Sequence, residues 1–153
     1  MTNGGWLTQE NARENRDIDF GTFWPKIGTK RFYDEYRPPA ELPDATVVGH
    51  LKLAGIKVRR ELSAWRARQT ALMLAGIEQE RVDAELELVL LFERAVYCEA
   101  KAEILKETLT ADRRKEAENN AKSGDETEEK YREFAADAIS LIVGESRVYV
   151  GDI

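Results

Sequence analysis

This chain of 153 residues is poor in the side chains that carry most protein chemistry, since it has one cysteine and one histidine. A lone Cys98 excludes an intrachain disulfide, and a lone His50 excludes paired imidazole ligands for a metal and the HExxH motif. Gly4 and Gly5 lie in a polar stretch without a following GK[ST], which excludes a phosphate-binding loop. We therefore predict no catalytic site, no metal and no cofactor.

The chain also lacks long apolar runs and an excess of positive charge. No stretch of about 18 uncharged apolar residues occurs, and no charged region followed by an apolar run opens the sequence. These absences predict a soluble, unprocessed protein that does not engage a membrane. The net charge of −6 argues against a general nucleic-acid binder, which requires a basic balance.

The strongest pattern present is a long helix predicted over residues 82–109, with Asp83 as its N-cap. Its apolar side chains fall on two stripes. The first comprises Leu86, Val89, Leu90, Val96, Tyr97, Ala100 and Ile104, and the second comprises Leu88, Leu91, Phe92, Ala95, Cys98, Ala102, Leu105 and Leu109. One stripe suffices for a surface helix, so two stripes predict neighbours on most sides and a buried Cys98 thiol.

Two further long helices and a short one complete the prediction of an all-α bundle. The first long helix is capped by Asp44 and runs to Gly76, with an apolar face of Val47, Leu51, Ala54, Val58, Leu62, Trp65 and Leu72. The last begins near Asp125 or Thr127 and ends at Gly144, with a face of Tyr131, Phe134, Ala138, Leu141 and Ile142. Residues 29–36 form the short helix, capped by Thr29. We predict an extended N-terminal arm over 1–43, the bundle over 44–144 and a docking strand over 145–153.

Three segments carry candidate contacts to other chains. The arm has dense aromatic residues that must be buried, either on the protomer's own bundle or on an adjacent subunit; we predict the second for Phe20, Phe23 and Trp24. The basic stretch of residues 57–68 precedes an acidic one, and the two suit an interface between identical copies, a solvated face or a DNA contact. The predicted inter-subunit residues there are Arg59, Arg60, Arg66, Arg68, Glu78, Glu80 and Glu85.

The last nine residues are β-prone but have no second strand in the chain to pair with. An isolated strand is unstable, so this segment is predicted to add to a sheet edge of another subunit or partner.

Three motifs stand out in the helical part of the chain: FERAVYCEAKA at residues 92–102, LSAWR at 62–66 and ISLIVGESR at 139–147. Together they resemble the head completion proteins (GPL family) of contractile-tailed bacteriophages. In the right order and spacing, the resemblance covers residues 43–153, whereas the aromatic-rich arm matches loosely.

The resemblance implies a non-enzymatic connector in the neck of the virion, made in the host cytoplasm during assembly. It implies a ring of about twelve copies on the portal protein, with a tail-side neck or tail completion protein as a further partner and DNA passing through without sequence-specific binding. The portal-binding residues would be Arg147, Val148, Tyr149, Val150 and Ile153. A different class stays open, that of a small helical scaffold or regulatory module that binds a cytoplasmic protein.

Overall fold

The computed structural model describes residues 13–111 and 126–144, and residues 109–111 by their backbone alone. The helices are α1 (Thr29–Tyr36), α2 (Asp44–Glu61), α3 (Ser63–Ala67), α4 (Glu87–Ala111) and α5 (Glu128–Val143), with a 3₁₀ turn at Leu74–Gly76. Two antiparallel pairs of two-residue strands are β1 (Asp17–Ile18) with β2 (Ile27–Gly28), and β3 (Arg81–Val82) with β4 (Glu85–Leu86). The described part is mostly helical, which confirms the all-α prediction.

Helix α4 is the central element of the bundle. Every side chain from Ala95 to Ala102 is buried, because α5, α2 and α1 all pack against this helix. The prediction of neighbours on most sides is therefore confirmed. The helix begins at Glu87 rather than Val82, because residues 81–86 form a hairpin whose turn residues Asp83 and Ala84 have φ values of 51° and 70°. Asp83 as an N-cap is wrong.

The first long helix is shorter than predicted. Helix α2 ends at Glu61, and Leu62 leaves helical geometry with φ −92° and ψ 5° before the short α3. After α3 the chain is irregular until the 3₁₀ turn, where the Leu74 N–H donates to the carbonyl of Phe23 at 2.8 Å. This long-range hydrogen bond replaces the helical one, so the predicted helix to Gly76 is wrong. Asp44 is the first helical residue and Pro43 the N-cap.

Residues 13–36 are an integral part of the core and do not form an extended arm. The β1–β2 pair and α1 place a group of apolar side chains against α2 and α4; all are at most 7% exposed, namely Ile18, Phe20, Phe23, Trp24, Ile27 and Phe32. Thr29 does not cap α1. Gly28 is the N-cap, and the Thr29 hydroxyl accepts a hydrogen bond from the Arg16 N–H at 2.9 Å. The boundary predicted at residue 43 does not divide the packed core.

Helix α5 has both predicted caps. The Thr127 side chain accepts a hydrogen bond from the Lys130 N–H, and Gly144 ends the helix in the left-handed region with φ 88°. The predicted docking strand, residues 145–153, lies outside the described residues. Among the described helices, none has the length and apolar character needed to cross a membrane.

Candidate interaction surfaces

The aromatic side chains predicted to reach another subunit lie inside the protomer. Trp24 stacks on Phe92 with 4.8 Å between ring centroids, and Phe23 meets Trp24 edge-on at the same separation. Phe20 contacts Phe92 edge-on at 6.4 Å. Because all three rings are buried by the protomer's own helices, the inter-subunit role predicted for them is wrong, and the alternative of packing on the protomer's own bundle is what the structure shows.

The basic stretch of residues 57–68 is divided between internal and external roles. Arg59 donates from Nη1 to the carbonyl of Phe20 at 2.9 Å, and the Arg66 guanidinium lies 3.8 Å from the centre of the Phe23 ring. These two arginines hold the N-terminal segment on the bundle. Arg60 and Arg68 are exposed, and neither forms an ion pair with any residue that the structure describes. Trp65 is buried and cannot stack on a base.

The acidic residues predicted to face another copy also differ among themselves. Glu85 pairs with Arg31 of the same protomer at 2.9 Å, and the same guanidinium binds Glu35 and Glu93. Glu78 and Glu80 are exposed and form no ion pair within residues 13–111 and 126–144. Of the charged residues proposed from sequence, Arg60, Arg68, Glu78 and Glu80 are thus the ones left with charges directed to solvent.

A charge network that the sequence did not reveal joins α2, α4 and α5. Glu99 is 5% exposed and accepts hydrogen bonds from Lys57, at 2.7 Å, and from Arg132. Arg132 also binds Glu103 at 2.6 Å, which holds the pKa of the Glu103 carboxyl below its usual range. A buried carboxylate is tolerated when it is paired and hydrogen-bonded, so this network fixes the three helices relative to one another.

Lys101 is a second buried charge on α4 and has a capping role. Its ammonium donates to the carbonyls of Tyr36 at 2.7 Å and Arg37 at 3.3 Å, and it pairs with Glu126 at 3.3 Å. Carbonyls at the C-terminus of a helix lack intrahelical donors, so a cation there satisfies them. Lys101 therefore ties the end of α1 to the start of α5, which is a structural task.

Cys98 and His50, the side chains considered from sequence as nucleophile and general base, each contact a different partner. Cys98 is fully buried with its sulfur 3.9 Å from the Tyr36 hydroxyl, and burial raises the pKa of this thiol, which keeps it in the unreactive protonated form. His50 lines an open groove between α2 and α4, where its Nε2 pairs with Glu107 at 2.8 Å. In the described part of the chain, no group of three or more potential ligand side chains is placed to hold a metal ion.

Large apolar side chains remain exposed at a few places. Leu72 is 88% exposed and Met73 51%, on the loop between α3 and the 3₁₀ turn, and Val82 is 54% exposed on β3. Leu141 is 64% exposed on α5. The sequence placed Leu72 and Leu141 on buried helix faces, and both assignments are wrong. The apolar spacing of the sequence gives no sign that the helix ends after Glu61. This break moves Leu72 from a helix face to a loop.

Comparison with known proteins connects this chain to a family. The family model described as phage head completion protein (GPL) matches residues 18–153. No curated protein and no solved structure matches the chain. The matched range starts at Ile18, the first of the apolar residues that the N-terminal segment contributes to the core. The match therefore includes that segment as well as the part of the chain from residue 43 onward on which the resemblance rests.

Proposed function

This chain belongs to the phage head completion protein (GPL) family, and from that premise we propose that it completes the head by binding the portal vertex as a ring. The family is a structural one, so the chain has a structural role in building the phage head and is a component of the virion. The observation that carries the proposal is the extent of the match, which includes almost the whole packed core. The proposed ring stabilises the DNA-filled head and offers a platform to a tail-side neck or tail completion protein.

The C-terminal segment is the proposed contact with the portal. Arg147, Val148, Tyr149, Val150 and Ile153 lie outside the described residues, so the proposal rests on their β-prone, alternating character. Strand addition to a sheet edge obtains affinity from main-chain hydrogen bonds and specificity from alternate side chains. The segment begins after Gly144, which ends α5, so removing it leaves both caps of that helix in place.

A truncation tests the portal contact. We expect a variant without residues 145–153 to keep the helical content and thermal stability of the full chain, because the described core ends at residue 144. It should lose binding to purified portal rings, measured by co-sedimentation. A variant with the same nine residues in scrambled order is the matched control for length and charge. Binding by the truncated chain at full-length affinity contradicts the proposed docking strand.

Ring formation is the second part of the proposal. Identical copies related by rotation make head-to-tail contacts, which close when the rotation per copy fits a whole number of subunits. Exposed charges of both signs suit such contacts, because opposite charges steer orientation. A net charge of −6 per copy also suits a lumen through which DNA slides without sequence-specific binding. Native mass measurement of portal rings saturated with this protein gives the copy number, proposed to be about twelve.

A further inference from the structure

The loop between α3 and the 3₁₀ turn presents an apolar pair, Leu72 and Met73, which we call the apolar knob. Its backbone is anchored on both sides. The Gln69 N–H donates to the Arg66 carbonyl at 3.0 Å before it, and the Leu74 N–H donates to the Phe23 carbonyl at 2.8 Å after it. Since Trp65 and Leu74 are buried, the residues between them are held outward. An exposed apolar pair on an anchored backbone is typical of a protein contact.

The hairpin β3–β4 presents a second apolar centre, Val82, and we call residues 82–84 the hairpin tip. The hairpin is fixed at its base, where the Glu87 N–H donates to the Glu80 carbonyl at 3.0 Å and the Leu88 N–H donates to the Gln79 side chain at 2.7 Å. At the tip, Asp83 and Ala84 adopt the two positive φ values that a two-residue hairpin turn uses. Val82 is therefore exposed on a folded element.

Most of the charges around the two apolar centres are opposite in sign; Arg81, beside Val82, is the exception and donates to the Ala84 carbonyl within the hairpin turn. Arg68 precedes the apolar knob by four residues, and Arg60 is exposed at the end of α2. The acidic side chains beside Val82 are Glu78, Glu80, Asp83 and Glu87, all exposed. In the part of the chain that the structure describes, none of these six side chains forms an ion pair. Each surface thus combines an apolar centre with charges that have no internal counterpart.

We propose that the apolar knob of one copy packs on the hairpin tip of a second copy, with Arg60 and Arg68 facing the carboxylates around Val82. This inference rests on the proposed ring and names its subunit contact. A contact between two different surfaces of one chain is head-to-tail, which is the kind that forms rings. Burial of Leu72, Met73 and Val82 contributes affinity, while the arginine–carboxylate pairs orient the subunits. The same inference leaves Arg59, Arg66 and Glu85 out of the contact, because each already binds within its protomer.

Disulfide trapping between singly substituted proteins tests the contact. L72C and V82C are purified separately, tagged to differ in mass, and mixed under oxidising conditions with and without portal rings. We expect a mixed disulfide of one L72C and one V82C chain, whereas L72C with L141C gives at least about tenfold less, since Leu141 is apolar and at least as exposed as Val82 but lies on α5. The native Cys98 is fully buried, and the wild-type chain measures its background.

The outcomes of trapping separate this inference from the function on which it rests. Absence of the mixed disulfide in both conditions, an equal yield with L141C, or trapping of L72C on the portal instead overturns the contact. If the wild type saturates portal rings while trapping fails, the contact is wrong and the proposed function stands. If trapping succeeds in free protein that never binds the portal, the contact stands and the proposed function fails.

Charge reversal provides an independent measurement of the same contact. R68E and E80R should each weaken self-association on the portal by about tenfold, because each places like charges opposite one another. The double variant R68E/E80R restores opposite charges and should recover most of the loss. K52E, a reversal at an exposed position of α2, is the matched control and should assemble as the wild type does. Equal behaviour of R68E and K52E, or no recovery in the double variant, overturns the contact.

Discussion

The N-terminal segment of residues 18–32 and the segment of residues 68–86 both lie outside the long helices and carry large apolar side chains, but the protein uses them in opposite ways. The first buries Phe20, Phe23 and Trp24 in the core of its own protomer. The second buries Leu74 and leaves Leu72 and Val82 exposed. Large apolar residues outside the long helices are thus buried in the first segment and exposed to solvent in the second.

The difference comes from what lies opposite each segment. An ideal Cβ on Gly55 of α2 would lie 2.1 Å from Cε1 of the Phe20 ring, so the missing side chain of this glycine makes room for the ring. Arg59 then binds the carbonyl of the same Phe20. The loop at Leu72 has no such counterpart within the part of the chain that the structure describes. A segment becomes part of the core where a complementary surface exists, so the remaining apolar surface is available to partners.

Replacing Trp24 with alanine should produce the largest loss of stability. The indole stacks on Phe92 and contacts Phe23, so truncation opens a large cavity at the junction of the N-terminal segment and α4. We expect a loss of about 3–5 kcal/mol in the free energy of unfolding, measured by urea denaturation. A loss below about 1 kcal/mol would mean that residues 18–32 do not belong to the core, and the comparison would break.

Two glycines of α2 form a matched pair for the next effect. G55A should destabilise by about 1–2 kcal/mol, because overpacking against the buried Phe20 ring outweighs the gain of about 1 kcal/mol in helix propensity. G49A should stabilise by about 0.5–1 kcal/mol, since no atom lies within 4 Å of its added Cβ. Denaturant midpoints of both variants decide the question. A stabilised G55A contradicts the described seat of Phe20.

Arg59 and Arg60 of the basic stretch test how the N-terminal segment is anchored on the bundle. R59A removes the donor to the Phe20 carbonyl and should cost about 1–2 kcal/mol, as a charged hydrogen bond to a partly buried acceptor does. R60A is the neighbouring control and should change the free energy of unfolding by less than about 0.5 kcal/mol. Equal losses from both substitutions would show that Arg59 does not anchor the N-terminal segment.

The sequence was sufficient where the determining interactions are local. The two stripes of α4 predict its central position, and Thr127 and Gly144 predict both ends of α5, because helical spacing and caps act within a few residues. The irregular chain between α3 and the 3₁₀ turn could not be predicted, since its end is held by a hydrogen bond between Leu74 and Phe23, which are far apart in sequence. The hairpin turn was not predicted because Asp83-Ala84 lacks the glycine that usually indicates positive φ.

The candidate surface was predictable in part for the same reason. Alternation of charge along the chain identified residues 57–85 as a stretch with complementary signs. It could not distinguish Arg59 from Arg60, because one residue of helical rotation decides which of them faces the Phe20 carbonyl. The aromatic content of residues 18–32 predicts burial but does not name the surface against which the side chains pack.

Two carboxylates of α4 should give opposite contributions to acid stability. Arg132 lowers the pKa of Glu103, so Glu103 stabilises the fold above the unfolded value of 4.5 and loses that contribution as the pH falls below it. Burial raises the pKa of Glu93, which contacts Arg31 of α1. Ionised Glu93 therefore disfavours the folded state, and this cost is removed as the pH falls toward 4.5 and the carboxyl is protonated. E103Q should therefore lose less stability in acid than the wild type and E93Q more, on the order of 1 kcal/mol or less for the partly exposed Glu103–Arg132 pair. Unfolding free energies measured across this pH range test both signs; identical pH profiles for the two variants contradict the assignment.

Replacing Leu72 with serine should have the smallest effect on stability, because the side chain is 88% exposed and removing it leaves no cavity. We expect a change below about 0.5 kcal/mol in the free energy of unfolding, against about 3–5 kcal/mol for W24A. The ranking of the two effects should reverse when self-association is measured under conditions where both variants are folded. L72S should lose the contact proposed for the apolar knob, and W24A should keep it. A destabilisation of L72S above about 1 kcal/mol would place Leu72 in the protomer's own core and remove the contrast between the two segments.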